Sequence, residues 1–146
     1  MPSSGDSQGE REMEEIQVNS QSRNEMIDIT DRLRAIVRQR GVREGAAFLQ
    51  SLHTTAGLTI NENADPDVPH DLLAKLEDLI PRREPFYRHG EGNSDSHWKT
   101  AAFGPSLTVL IHEGDLVLGT WQGVFFCEFD GPRPNRRVAV QILGAG

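Results

Sequence analysis

The chain has 146 residues, of which 36% are hydrophobic, and its formal net charge is −7. This length predicts one domain. No apolar run approaches the roughly 20 residues of a membrane span, and the acidic balance lacks the basic surface that nucleic acid requires. The single cysteine, Cys127, excludes an internal disulfide and a cysteine-based zinc framework. The polar N-terminus contains no secretory signal, so we expect a cytoplasmic protein.

The first part of the chain predicts a leader, two short strands and a helix. Residues 1–12 are polar and are expected to be a disordered leader before a single domain over 13–146. Alternation over 15–19 predicts an edge strand, and 24–29 predicts a second strand. An apolar stripe then predicts a helix that Thr30 caps and Gly41 ends. This stripe consists of Ile29, Leu33, Ile36 and Val37.

The remaining chain predicts a central strand, two helices and a strand-rich end. The apolar run 45–52 indicates the central strand, and a short strand follows over 58–63. A leucine stripe predicts a helix that begins near Pro69 and ends before Pro81, because an earlier start would place a residue without an N–H group inside the helix. A short helix is expected over 95–103. The later predicted strands are 107–111, 116–119, 124–129 and 137–142, with a hairpin turn at 113–115 and a long turn at 130–135.

This order of elements favours an α+β fold with a mixed or antiparallel sheet and about three helices. The stretch from Tyr87 to His97 stands apart, because it combines two histidines with glycines, carboxylates, an asparagine and serines. Together with His53, its His89 and His97 could provide the three imidazoles of a metal site with one open position. Surface or capping histidines are the alternative interpretation.

Several other polar groups could belong to the same site. Glu62 and Asn63 could orient a ligand or act as a base, although ordinary turn chemistry explains them as well. The expected helix start at Asn93 and Ser94, with Lys99, could bind a phosphate group, or could be a plain helix cap. Thr120 and Gln122 could contribute a hydroxyl and an amide. The arginines near the last strand favour a solvated turn over an anion site. They are Arg133, Arg136 and Arg137.

Five motifs occur in an order that resembles the YjbQ family, also called the secondary thiamine-phosphate synthase enzyme family. They are HTTAGLTINENADP from His53, YRH from Tyr87, NSDSH from Asn93, LGTWQ from Leu118 and EFDGPR from Glu128. The resemblance extends over roughly residues 15–143. It implies a compact α+β fold, a homotrimer, a histidine-rich polar pocket in which members have held metal, and a weak thiamine-phosphate synthase activity.

On this resemblance, we expect an enzyme that joins a pyrimidine diphosphate to a thiazole phosphate. The metal ligands would be His53, His89 and His97, with zinc favoured by imidazole ligands and magnesium possible with a diphosphate substrate. The catalytic candidates are Glu62, Asn63 and Asp95. The phosphate-binding candidates are Asn93, Ser94, Lys99, Thr120 and Gln122. The alternatives are a metal-assisted hydrolase and a non-catalytic trimeric protein that binds a metal or a small molecule.

Overall fold

The computed structural model describes residues 13–145, so the predicted disordered leader lies outside the described residues. Within this range the chain is α+β, as predicted, and its strands all pair antiparallel. The strands are β1 Glu14–Val18, β2 Glu25–Asp28, β3 Gly45–Ser51, β4 Ala56–Glu62, β5 Ser106–His112, β6 Asp115–Leu116, β7 Gln122–Glu128 and β8 Arg136–Gly144. The helices are α1 Thr30–Arg40, α2 Asp67–Leu79 and α3 Ser94–Phe103.

Five strands form one sheet in the order β1-β8-β3-β5-β6. The predictions that the first strand is an edge strand and that the run 45–52 is central are confirmed. The hairpin at Glu113 and Gly114 is also confirmed, because both residues have the positive φ that a tight turn between β5 and β6 requires. One face of this sheet contributes alternate residues such as Leu49 and Val140 to the main core.

A second sheet has the order β2-β7-β4. The prediction that residues 116–119 and 124–129 continue one sheet is wrong. β6 ends at Leu116, and β7 lies in the second sheet. The physical reason is visible in the burial of β7, since every residue from Gly123 to Glu128 is buried. A strand buried on both faces needs neighbours on both sides and packing above and below, and β2 and β4 supply the neighbours.

Helix α1 packs its apolar stripe, including Leu33 and Val37, into the main core and ends at Gly41 in the left-handed conformation, as predicted. The prediction that Thr30 is the N-cap is wrong. Thr30 is the first helical residue, and the Asp28 carboxylate accepts its N–H (2.9 Å). The Thr30 hydroxyl accepts the Val124 N–H (2.8 Å) instead, so this side chain ties the helix to β7.

Helix α2 begins at Asp67, two residues before the predicted start at Pro69. The prediction assumed that Pro69 would remove a needed hydrogen bond. In the observed helix Pro69 is the third residue, and the N–H groups of a first turn have no acceptor within the helix, so none is lost. The helix ends at Leu79, shortly before Pro81, as predicted.

Helix α3 packs against β4 at unusually short range, and this contact places the helix that carries His97. A Cβ atom at Gly57 would lie 2.9 Å from the Gly104 carbonyl oxygen and 3.3 Å from Cβ of Phe103. Glycine therefore allows the close approach of the helix end to the strand. No helix within residues 13–145 is long and apolar enough to cross a membrane.

Candidate functional site

His53 lies just beyond the end of β3, beside the start of β8. The Leu52 N–H donates to the Arg137 carbonyl oxygen (3.2 Å). The Arg137 N–H in turn donates to Nε2 of His53 (2.8 Å). The imidazole therefore takes the place that a backbone carbonyl would occupy if the β3–β8 ladder continued. This hydrogen bond fixes the orientation of the His53 ring.

The same hydrogen bond determines which nitrogen of His53 carries the proton. A neutral imidazole has one N–H group and one acceptor nitrogen. Because Nε2 accepts the Arg137 N–H, the proton of the neutral ring is on Nδ1. Burial, and after it the charge of Arg136, lowers the pKa of His53 below its usual value. At neutral pH the ring is therefore uncharged and has Nδ1–H as its only donor.

A polar cavity of about 340 Å³ opens beside His53. Residues from the β3–β4 loop, the start of α3 and the β7–β8 turn line it together. They are Leu52, His53, Thr54, Thr55, Glu91, Asn93, His97, Asp130, Arg133 and Arg136. The arrangement brings two of the three predicted histidines, His53 and His97, to one cavity.

The start of α3 forms one wall of this polar cavity. Asn93 precedes the helix, and its backbone carbonyl accepts the N–H groups of Ser96 (3.0 Å) and His97 (3.3 Å). Its side-chain Nδ2 donates to Asp130 Oδ2 (2.9 Å). Its Oδ1 is buried and has no hydrogen-bond partner within residues 13–145. The helix end thus presents its positive dipole to the cavity.

Two arginines of the β7–β8 region have different roles. Arg133 has a half-exposed side chain and pairs with Asp130 (2.9 Å), which agrees with the predicted exposed turn. Arg136 is buried, so the interpretation of this residue as part of a solvated turn is wrong. Its guanidinium pairs with Glu128 and donates to the Thr55 hydroxyl (2.8 Å). Glu128 is completely buried and needs this cation for compensation.

A second, more open cavity of about 720 Å³ lies on the outer side of α3. The rings of His89 and His97 meet edge to face with their centroids 5.3 Å apart. Trp98 is 60% exposed on the same surface. The remaining lining residues are Ser94, Ala101 and Ala102. His97 lines both cavities, so the polar cavity and this mainly apolar one meet at His97.

Asp95 and Lys99, predicted as catalytic and phosphate-binding residues, line neither cavity. Asp95 is completely buried and accepts hydrogen bonds from Arg23 (2.9 and 3.1 Å) and Lys99 (3.0 Å). Lys99 is 1% exposed and also donates to Glu77 (2.7 Å). Burial opposes ionisation of Asp95, but the two cations outweigh it and hold its pKa below the usual range. The resulting ion cluster consists of four side chains, those of Asp95, Lys99, Arg23 and Glu77.

Four other predicted site residues lie at the far end of the second sheet. They are Glu62, Asn63, Thr120 and Gln122. β4 and β7 pair from Ala56–Glu128, close to Thr55, to Glu62–Gln122. This interval of six residues corresponds to about 20 Å. Asn63 donates to Asp28 (3.0 Å), and Gln122 accepts the Gly119 N–H (2.8 Å). Within one chain, these four residues therefore lie away from the polar cavity that His53 and His97 line.

The predicted three-histidine metal site is not formed within residues 13–145 of a single chain. Within residues 13–145, no three His, Cys, Asp or Glu side chains are placed to hold a metal ion. A metal ligand must offer an unprotonated ring nitrogen. The one such nitrogen of neutral His53 is Nε2, which already accepts the Arg137 N–H. The zinc or magnesium site stays a prediction.

Asp130 lines the polar cavity and Glu128 holds Arg136, and the sequence motifs indicated neither role. Glu128 stands in the apolar run Phe125–Phe129. A carboxylate inside such a run indicates a buried charge that needs a partner. This signal, combined with the three arginines that follow, could have indicated the Glu128–Arg136 pair.

Comparison with known proteins identifies relatives over most of the chain. A family model described as "UPF0047 protein YjbQ-like" matches residues 14–145. The UPF0047 protein YugU of Bacillus subtilis is 46% identical over 129 residues, which cover 88% of this chain and 97% of that protein. The UPF0047 protein MJ1081 of Methanocaldococcus jannaschii is 48% identical over 128 residues, which cover 88% of this chain and 91% of that protein.

Solved structures agree with this relationship. A crystal structure of an uncharacterised YjbQ/UPF0047 protein from Clostridium acetobutylicum has a TM-score of 0.86 at 45% identity, covering 89% of this chain and 99% of that one. A YbjQ-like protein of unknown function from Sulfolobus solfataricus has a TM-score of 0.87 at 31% identity, covering 92% and 97%. The chain belongs to the UPF0047 YjbQ-like family.

Proposed function

We propose that this protein is an enzyme that acts on phosphorylated small molecules, and that it forms thiamine phosphate from a pyrimidine diphosphate and a thiazole phosphate. The observation that carries the proposal is the polar cavity in which His53, with a fixed Nδ1–H donor, shares a wall with Arg133 and the start of α3. We place the reaction in the cytoplasm.

The cavity has the size and the donors that a phosphorylated ligand requires. Its volume of about 340 Å³ lies within the usual range for small-molecule sites. Arg133 is half exposed and has only one side of its guanidinium engaged by Asp130, so it can bind phosphate oxygens. The positive end of the α3 dipole at Asn93 also favours an anion.

The neighbouring cavity suits the ring of the same ligand. His89, His97 and Trp98 present aromatic surface, and planar heterocycles stack on such surfaces. Because His97 lines both cavities, a ligand could place its phosphate in the polar compartment and its ring in the apolar one.

His53 has a defined part in the proposed reaction. The thiazole nitrogen forms a bond to the pyrimidine methylene carbon with its lone pair, the carbon–oxygen bond to the diphosphate breaks, and pyrophosphate leaves with that electron pair. Negative charge then grows on the bridging oxygen. A neutral Nδ1–H donor that is already in place stabilises this charge, because no reorganisation is needed when the reaction occurs. His53 lines the cavity, and its Nδ1–H is not engaged by the bond that Nε2 accepts.

Removing the His53 donor tests the proposal. The purified protein is mixed with both phosphorylated precursors, and thiamine phosphate is measured by its fluorescence after oxidation. We expect product from the native protein and a rate about 100-fold lower in His53→Ala, the usual effect of losing one such donor. His112→Ala, a change at an exposed histidine outside both cavities, should retain the rate. A native protein that forms no product would contradict the proposal.

We further propose that the protein is a homotrimer, as the resemblance implies. The outer face of the five-stranded sheet carries the exposed side chains of Phe48, Leu52, Leu110 and Leu143. Burial of this apolar face against another copy would stabilise the assembly. Phe48→Glu should shift the mass measured by light scattering from trimer to monomer. Leu79→Glu, at an exposed leucine on α2, should leave it unchanged.

A further inference from the structure

Two side chains of the loop between β3 and β4 are held by neighbouring residues of β8, in addition to the bond from the Leu52 N–H to the Arg137 carbonyl oxygen. Arg136 donates from Nη2 to the Thr55 hydroxyl (2.8 Å). The Arg137 N–H donates to Nε2 of His53 (2.8 Å). The first of these bonds holds the side chain of Thr55, whose backbone carbonyl also accepts the Phe129 N–H (3.1 Å), and the second holds the imidazole itself. Both depend on where β8 begins.

Arg136 is itself held by Glu128. Its Nε donates to Glu128 Oε1 (2.8 Å), and its Nη2 forms a second bond to Oε2 of the same carboxylate. Glu128 also accepts the Ser20 hydroxyl (2.7 Å) and the Asp130 N–H (3.0 Å). A bidentate pair of this kind has a strict geometry. Because Arg136 belongs to β8 and Glu128 to β7, the pair also links the two sheets beneath the cavity.

We infer that Arg136 is a positioning residue for His53, which holds Thr55 and the Arg137 peptide in place and thereby keeps the imidazole in its Nδ1-protonated form. This inference goes beyond the proposed function, because it concerns the state of the ring and not the reaction. Only its consequence for the reaction rate rests on that function.

The inference follows from the movement that the loop could make if the hydrogen bond between Arg136 and Thr55 were lost. His53 is only partly buried, so packing alone does not fix its ring. If the loop moved, the Arg137 N–H would no longer face Nε2, and either nitrogen could carry the proton. Part of the molecules would then lack the Nδ1–H donor. A displacement of this kind reduces catalysis even when the fold is intact.

The test removes one hydroxyl and compares it with a matched control. Thr55→Val deletes the acceptor for Arg136 and keeps the side-chain shape. Thr100→Val makes the same change at an equally buried threonine whose hydroxyl has no hydrogen-bond partner within residues 13–145. Both threonines are 6% exposed. Thr55→Ser restores the hydroxyl and serves as the rescue variant.

The readout is the ¹⁵N spectrum of the histidine rings, with the His53 signals assigned by their loss in His53→Ala. We expect one Nδ1–H form in the native protein, in Thr100→Val and in Thr55→Ser. Thr55→Val should show both tautomers and a rate of thiamine phosphate formation about tenfold lower, the factor that corresponds to one net hydrogen bond. A loss of stability alone would not change the tautomer.

The outcomes separate this inference from the proposed function. An unchanged His53 tautomer in Thr55→Val overturns the inference, whatever the activity. A mixed tautomer in Thr55→Val, with a single form in Thr100→Val and Thr55→Ser, supports it even if the native protein forms no thiamine phosphate. In that last case the proposed reaction fails while the positioning role of Arg136 stands.

Discussion

Glu128→Ala is expected to lower the free energy of unfolding by about 3–5 kcal/mol, the usual cost of leaving one partner of a buried ion pair uncompensated. Glu128 is completely buried, and Arg136 is 5% exposed. Burial opposes ionisation of Glu128, but the bonds from Arg136 and Ser20 outweigh it and hold its pKa below the usual range. The carboxylate is therefore charged at neutral pH, and its removal leaves the arginine charge alone in the interior.

Chemical denaturation of three variants measures this effect. Glu113→Ala, at a side chain that is 74% exposed, should stay within about 0.5 kcal/mol of the native protein. Replacing both Glu128 and Arg136 with methionine should recover most of the loss, because an apolar pair of similar volume removes both buried charges. A cost below about 1 kcal/mol for Glu128→Ala would mean that water reaches Arg136 and that the pair does not link the sheets.

Local sequence patterns predicted many of the helices and strands correctly. The stripe of Leu33 and Val37 packs into the core as predicted, and Gly41 ends the helix because it adopts a conformation that suits glycine. The partition into two sheets was not predictable in this way. β7 is buried on both faces, and such a strand has no alternation from which its neighbours could be inferred.

The candidate site could be predicted only in part, because sequence motifs do not show where strands end in space. His53 and His97 meet at one cavity. Glu62, which follows His53 closely in the chain, lies about 20 Å along the sheet from that cavity. β4 runs away from His53, and its far end carries the polar residues with it. The hydrogen bond from the Arg137 N–H to His53 could not be predicted either, because every residue except proline has a backbone N–H group.

At Asp95, a structural role and a catalytic role predict clearly different effects of a substitution. We expect Asp95→Asn to lower the free energy of unfolding at pH 7 by about 3 kcal/mol, because Arg23 and Lys99 lose the buried charge that compensates them. A catalytic carboxylate would instead lose activity with little change in stability. Asp31→Asn, at a side chain that is 97% exposed although paired with Arg34, should cost less than about 0.5 kcal/mol.

The pH dependence of this difference gives a second check on Asp95. Because the folded pKa of Asp95 lies below its unfolded value, the folded state binds fewer protons. The stabilisation is therefore fully present above the unfolded pKa of about 4 and is lost as the pH falls through the lower folded pKa. Denaturation curves of the native protein and Asp95→Asn should converge in acid below that value. A difference that stays constant down to low pH would contradict the ion cluster, since it could not then come from the charge of Asp95.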